Sequence, residues 1–447
     1  MPPLDAARQP QPPEEARVLW YGADMRVHFA FGKTGLEAEL PPGPSWQVLR
    51  PRYAAPLKDE LAAIEQALDA PAAGPPLEEL ARGRGSAAIA VCDITRPAPN
   101  RLTLPPLLKR LERAGIPREQ TTILIATGLH RPATAAELDE ILGPEIAASY
   151  PLVNHNARIR EDHVYLGQAR HGTPVWIDRR YVEAGLHITL GFIEQHLMAG
   201  FSGARKLIAP GLADQETIRF LHSPRFMRDS RAVEGSIEEN PLHQELLEIS
   251  QMAGHDFIVD VVLGEQKKIT AVFAGAPREA HAAGVAFVRE KTTAWLPAPV
   301  EAAVTTAAGY PLDLTFYQAV KGVTAATHIV RPGGIILVLA ACDEGAGAGE
   351  FSRLLMESHS AETFLKEIAD LPVTIDQWQL EKLALAAQSH RLWFYTPGLP
   401  PEYHSKLWGI SFPTAAKALE ALAAAVPPQA PVAVIPEGPY VFARTAE

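Results

Sequence analysis

Short apolar runs, each followed by a polar loop and then by an amphipathic stretch, recur along this chain. Residues 86–91 (SAAIAV) are nearly all apolar and lead into CDITRPAPN. Residues 106–114 then place apolar side chains at helical spacing, with Pro106 read into the first turn. Residues 122–126 (TILIA) lead into TGLHRPAT, and 135–142 predict the next helix. A second cycle follows, with a strand at 302–308, a helix at 315–327 and a strand at 335–341 that ends in CDEG. Cys92–Asp93 and Cys342–Asp343 thus fall at similar points, just past a strand.

This alternation predicts an α/β protein: two α/β domains with largely parallel sheets covered by helices, and an active site in the cleft between them. Elsewhere, 18–31 reads as two short strands around a Gly-containing turn, 57–68 as a helix and 71–76 as a turn-rich connection. Residues 214–221 form a helical turn or two ending at His222, 414–425 a helix, and 432–435 a closing strand. The expected division is a flexible tail over 1–17, an N-terminal domain over 18–292 and a C-terminal domain over 300–447. Pro297 and Pro299 mark the intervening linker, a hinge candidate.

Composition narrows the function. The 447 residues carry 41 Lys+Arg against 52 Asp+Glu, a formal charge of −11, which argues against nucleic acid or an anionic membrane as the main partner. Two cysteines exclude a disulfide scaffold, a thiolate-bound iron–sulfur cluster and a four-cysteine zinc site, so protein metal ligands must come mostly from His or carboxylate. The opening MPPLDAARQPQPPEEAR has no apolar core of a signal peptide, and no run of about 18 apolar residues could span a bilayer. A cytoplasmic location is expected.

The most informative stretch is IEQHLMAGFSGARKLIAPG, with His196, Gly200, Ser202, Gly203 and Lys206. Glycines beside a serine and ahead of a helical run let backbone N–H groups approach an anion. The Walker spacing is absent, and a tight structural turn with a solvated lysine fits the same spacing. His130 follows a strand directly, whereas His155 reads as structural or supporting. DITRP offers Asp93, Thr95 and Arg96; the arginine is a planar clamp for carboxylate or phosphate, and a capping role for the loop is the alternative. TFYQAVKG puts Gln318 and Lys321 on one helix face beside Tyr317, a pattern an ordinary amphipathic helix also gives.

Taken together, H-x3-G-x-S-G-x2-K over 196–206, His222 sixteen residues later, D-x-T-R-P, G-x-H and Y-Q-x2-K resemble, in order, the nickel-dependent lactate racemase family of 2-hydroxy acid racemases and epimerases. The resemblance implies a cofactor, the nickel-pincer nucleotide. This is a pyridinium-3,5-bisthiocarboxylic acid mononucleotide, covalently linked through a thioamide to a lysine that maps onto Lys206. It implies His222 as the nickel ligand in a square-planar, sulfur-rich site. It also implies His130 and His196 as the two catalytic bases of a proton-coupled hydride transfer through a 2-keto acid. Arg96 and Lys321 would hold the substrate carboxylate with Gln318, Tyr317 and Trp378 nearby. Ser202, Gly203, Asp93 and Thr95 would help hold the cofactor phosphate. The N-terminal domain would then be the cofactor-binding, catalytic part, and the C-terminal domain would bind substrate. Maturation proteins that make the cofactor are the implied partners.

The family string often has Gly-Gly after the serine, whereas this chain has Gly203–Ala204 followed by Arg205. A methyl at 204 is tolerable unless that backbone has positive φ. Arg205 is expected to place a cation near the cofactor or the far end of a substrate other than lactate. Two rival readings remain, a zinc hydrolase using His130, His196 and His222, and a non-catalytic binding protein on the same scaffold.

Overall fold

The computed structural model describes residues 19–20 and 25–446; the expected tail over 1–17 lies outside the described residues. The chain divides into two units. One is Tyr53–Lys291; the other combines the described residues up to Arg52 with those from Thr292 onward.

The Tyr53–Lys291 unit is built on a six-stranded sheet. Its order is Ile269–Gly275, Phe257–Leu263, His187–Phe192, Ala87–Cys92, Thr121–Ala126 and Leu152–Asn154. Every pairing is parallel except the first, which is antiparallel. All six residues of Ala87–Cys92 are buried, which is why this strand is a continuous apolar run without polar alternation. The chain moves outward in one direction from Ala87–Cys92 and in the other from His187–Phe192, although the two strands are neighbours. That reversal opens a crevice beyond their carboxyl ends, where Asp93 and the loop of His196 emerge.

Two helices show how sequence acts locally. Ala135–Leu142 has the expected bounds because Thr134 and Glu137 close a capping box at its start. The helix expected over 106–114 instead runs Asn100–Arg113, with Pro105 and Pro106 in its interior. Buried Leu104, Leu107, Leu108 and Leu111 form one apolar stripe that outweighs two missing N–H donors. Arg101 and Leu102, whose carbonyls lose those donors, are surface residues.

The other unit carries a seven-stranded sheet ordered Leu19–Trp20, Ser45–Val48, Pro431–Ile435, Val300–Thr306, Val330–Leu339, Arg391–Tyr395 and Ile410–Ser411. Only the Leu19–Trp20 pairing is antiparallel. Alternate residues of its central strands feed two cores. Ala303, Ile336 and Val338 pack with the helices Phe316–Thr327 and Gln377–Ser389; Ala302, Val304, Ile335 and Leu337 pack with Ala415–Ala425.

Three expectations change here. Ser45–Val48 pairs with Pro431–Ile435, so the segment up to residue 52 joins the C-terminal sheet instead of the domain expected over 18–292. The strand expected to close the sheet, Pro431–Ile435, is internal to it. Residues 293–296 of the expected linker form a strand, Thr293–Leu296, paired in parallel with Phe442–Thr445. Local hydrophobic pattern identifies a strand but carries no information about which strand it pairs with. Among the described residues, no helix is long and apolar enough to cross a membrane.

Candidate active site

Asp93 directly follows the Ala87–Cys92 strand and is 5 % exposed. Its Oδ1 accepts from the Thr95 backbone N–H at 3.3 Å and the Thr95 hydroxyl at 2.6 Å, folding DITRP back on itself. Its Oδ2 lies 2.7 Å from Nδ1 of His130. An ionised carboxylate only accepts, so Nδ1 of His130 carries the proton and Nε2 presents its lone pair. Burial raises the Asp93 carboxyl; the bonds from His130 and Thr95 and the charge of Arg96 outweigh it and hold the group below its ordinary value. The acid expected to help hold the cofactor phosphate therefore orients one of the two expected bases. Arg96 is exposed, touches only Thr95 through its guanidinium, and pairs with no carboxylate among the described residues.

The second expected base sits in a small hairpin, Gln195–His196 against Gly200–Phe201. Nδ1 of His196 accepts backbone N–H groups from Met198 at 3.4 Å and Ala199 at 3.2 Å. The ring proton is therefore on Nε2, which lies 3.0 Å from Nζ of Lys206. A donor at Nε2 requires an acceptor at Nζ, and only a neutral amine accepts. The electrostatics agree: burial, then the charges of Arg96 and Arg205, push Lys206 down to about 7.

The loop between these residues is held from beneath. Ser202 Oγ donates to Phe192 O at 2.8 Å and accepts from Glu194 N–H at 2.9 Å, so its hydroxyl serves the loop itself. Gly203 has φ +81°, and a Cβ there would lie 2.5 Å from Asp260 Oδ2. Asp260 accepts from Ala204 N–H at 2.9 Å, and burial pushes its carboxyl up to about 7. Ala204 itself has φ 43° and ψ −116°, a conformation glycine favours, so the methyl is strained.

Arg205 corrects an expectation. It is 1 % exposed, and its guanidinium donates to Ala199 O and Phe201 O at 3.0 Å and to Ser202 O and Gly203 O at 3.4 Å. The cation expected near a substrate is turned inward to the loop's carbonyls, because buried guanidinium N–H groups need acceptors.

His222 caps the helix Gln215–Leu221, as the spacing indicated. Its Nδ1 donates to Ile218 O at 2.7 Å, so Nε2 is the nitrogen without a proton. Burial, the largest effect, lowers this imidazole to about 4, so it stays neutral and ligand-ready. His155 is fully buried, with Nδ1 3.1 Å from Asp178 Oδ2 and Nε2 3.1 Å from Ala213 O, a structural role. Cys92 is a buried thiol pushed up to about 12, unsuited to binding metal.

Among the described residues, no three His, Cys, Asp or Glu side chains stand close enough to hold one ion. The zinc reading through His130, His196 and His222 therefore lacks its donor set. One ligand-ready histidine and one neutral amine instead suit a metal that arrives with its own donors on a group the amine can hold. The residues present fit the nickel-pincer nucleotide in that sense.

The remaining candidates belong to the other unit. Gln318 and Lys321 lie on Phe316–Thr327, where the Gln318 Oε1 is buried without a hydrogen-bond partner. Tyr317 packs edge-on against Phe351 with centroids 5.2 Å apart, and its carbonyl accepts from Gln379 at 3.0 Å. Trp378, 8 % exposed, lies in the first turn of Gln377–Ser389, the helix packed on Phe316–Thr327. Sequence reasoning did not single out Asp260 or the Asp93–His130 pair. Both are long-range contacts, and an Asp inside an otherwise apolar strand (FIVDVVL) was the only signal for the first.

Comparison with known proteins bears on this arrangement. Residues 31–235 match the lactate racemase N-terminal domain and residues 297–443 the lactate racemase C-terminal domain. A lactate racemase of Lactiplantibacillus plantarum is 37 % identical over 385 residues, covering 85 % of this chain and 90 % of the relative. One of Thermoanaerobacterium thermosaccharolyticum is 32 % identical over 427 residues, covering 94 % and 99 %. The solved lactate racemase apoprotein of the latter organism superposes with a TM-score of 0.87 at 31 % identity, over 95 % of this chain and 100 % of that one. A Thermotoga maritima structure, 16 % identical, shares the fold with a TM-score of 0.64 over 88 % of this chain and 99 % of that one. The chain belongs to the lactate racemase family and is an isomerase of the racemase type.

Proposed function

We propose that this enzyme racemises lactate, or a closely related short 2-hydroxy acid, at C2, using His130 and His196 as its two bases, Lys206 as the tether of a nickel-pincer nucleotide and His222 as the nickel ligand. The observation that carries the reading is the neutral Lys206 amine, pushed down to about 7, beside His196. A lysine left for a surface role would be charged and solvated. One positioned to be acylated is neutral at working pH.

When bound, the nickel-pincer nucleotide supplies a hydride acceptor and donor for C2, so the substrate passes through its 2-keto acid. The protein's share is binding and proton management. Arg96, exposed and without an acidic partner among the described residues, clamps the carboxylate. Nε2 of His130, its lone pair fixed by Asp93, takes the hydroxyl proton of one enantiomer. His196 is assigned to the other enantiomer, with the proton on its Nε2 donated to the substrate oxygen as that enantiomer forms. Backbone N–H groups of the 200–206 loop, with Thr95, Asp93, Ser202 and Gly203 shaping it, cradle the phosphate.

The test is a chiral assay on protein co-expressed with the cofactor-making machinery. L-lactate should give a racemic mixture, and so should D-lactate. His130→Ala and His196→Ala should each stop conversion in both directions. A loaded protein that racemises neither lactate nor another short 2-hydroxy acid would overturn the reading.

A further inference from the structure

A cavity of about 300 Å³ lies within the Tyr53–Lys291 unit and is lined in part by Ala204 and Arg205, but not by His130, His196, Lys206 or His222. Its lining includes Arg205, Ser250, His255, Arg278, Glu279 and His281. Three features share a sign. Arg205 is 1 % exposed, forms no ion pair among the described residues, and its Nε is buried without a hydrogen-bond partner. The other N–H groups of that guanidinium are spent on neutral acceptors, the loop carbonyls; Nε2 of His281, which donates to Ser202 O, lies 2.8 Å from one of its nitrogens. The cavity also meets the start of the 16-residue helix Pro277–Thr292, whose first turn supplies Pro277, Arg278 and Glu279. The residue ahead of that helix is Ala276, which has no side-chain oxygen to cap the first N–H groups. Arg278 stands exposed at the same place.

A buried cation with an unpartnered Nε, an uncapped helix N-terminus and a second arginine converge on one space. Each favours negative charge, and the only carboxylate in the lining is the exposed Glu279. The buried carboxyl that faces Arg205, Asp260, lies outside the lining and is itself pushed up to about 7 by burial. We propose that this cavity binds a small oxyanion, a phosphate or a short carboxylate, with Arg205, Arg278 and the start of Pro277–Thr292 as its donors. The occupant shares Arg205 with the loop of His196 and Lys206, so binding stiffens that loop. The inference does not depend on the reaction proposed above.

The experiment is calorimetric titration of the full, unloaded chain at constant ionic strength, with inorganic phosphate in one arm and lactate in the other. Saturable binding in either arm is expected, and the arm that binds identifies the anion's class. Arg278→Glu, at an exposed position, and Ser250→Leu, which fills the cavity, should each weaken it about tenfold or more. In the phosphate arm Arg96→Ala should leave it unchanged. No saturable binding of either anion, or binding lost in Arg96→Ala and kept in both cavity variants, would overturn the proposal.

Discussion

Lys206 and His196 fix each other's protonation state. Two backbone N–H groups occupy Nδ1 of His196, and the proton left on Nε2 points at Nζ of Lys206 from 3.0 Å. Lys206 should therefore react as a free amine near neutrality. In the unloaded protein an acylating reagent at pH 7.5 is expected to label Lys206 ahead of the surface lysines, with a half-maximal rate near its value of about 7. His196→Gln, whose carbonyl can accept from an ammonium, should raise that midpoint by about one pH unit, read by peptide mass spectrometry.

The same lowered value has a stability consequence. Between about 7 and the ordinary 10.5, the unfolded chain holds a proton on Lys206 that the folded chain does not. Stability should therefore rise with pH across that window. Lys206→Met should remove this rise and stabilise the unloaded protein at pH 7, measured by urea unfolding at pH 7 and pH 9, while abolishing cofactor attachment.

Asp93→Asn preserves the shape of the DITRP turn but supplies an amide donor where His130 needs an acceptor. The ring would then accept at Nδ1 and carry its proton on Nε2, facing the substrate with the wrong tautomer. Turnover should fall by roughly 10²–10⁴ with KM nearly unchanged, as expected when a base loses its orienting carboxylate.

His222 is held neutral down to about 4. Nickel in the loaded enzyme should therefore survive acidification through pH 6, where an ordinary imidazole would already be protonated. It should leave as the pH approaches 4, followed by metal analysis after desalting. His222→Ala should lose nickel while keeping the mass increase on Lys206.

Ala204 holds φ 43° and ψ −116°, where the family string often has glycine. Ala204→Gly should relieve the strain and stabilise the protein by about 1 kcal/mol in urea titration. Ala204→Val should destabilise it by more than that, since a branched side chain at the same backbone also crowds Ile258 and Ala280, against which the methyl packs.

What the sequence reveals and what it hides follow from the range of each interaction. The apolar run AAIAVC announces a strand covered on both faces, and the Thr134–Glu137 capping box marks a helix start, because both are local. The helix that ends at His222 was legible from local pattern, whereas Lys206 and His196 stood out only through the family resemblance, since their spacing alone also fits a structural turn. By contrast, Trp46 pairs with Val432, a partnership that no window of sequence contains. Arg205 illustrates the other limit. Adjacent to Lys206 in one short helix, it points inward to carbonyls while Lys206 meets His196, and composition cannot distinguish those two directions. The Asp93–His130 contact joins the ends of two adjacent parallel strands, so it became visible only once their pairing was known.

The central claim is that Lys206 carries the cofactor and His222 its metal. The most direct measurement is peptide mass and nickel analysis of the chain co-expressed with the cofactor-making machinery. The account predicts a mass increase confined to the peptide of Lys206, about one nickel per chain, and loss of both in Lys206→Ala. An unmodified Lys206 in a sample that nonetheless racemises lactate, or nickel retained undiminished in His222→Ala, would contradict it.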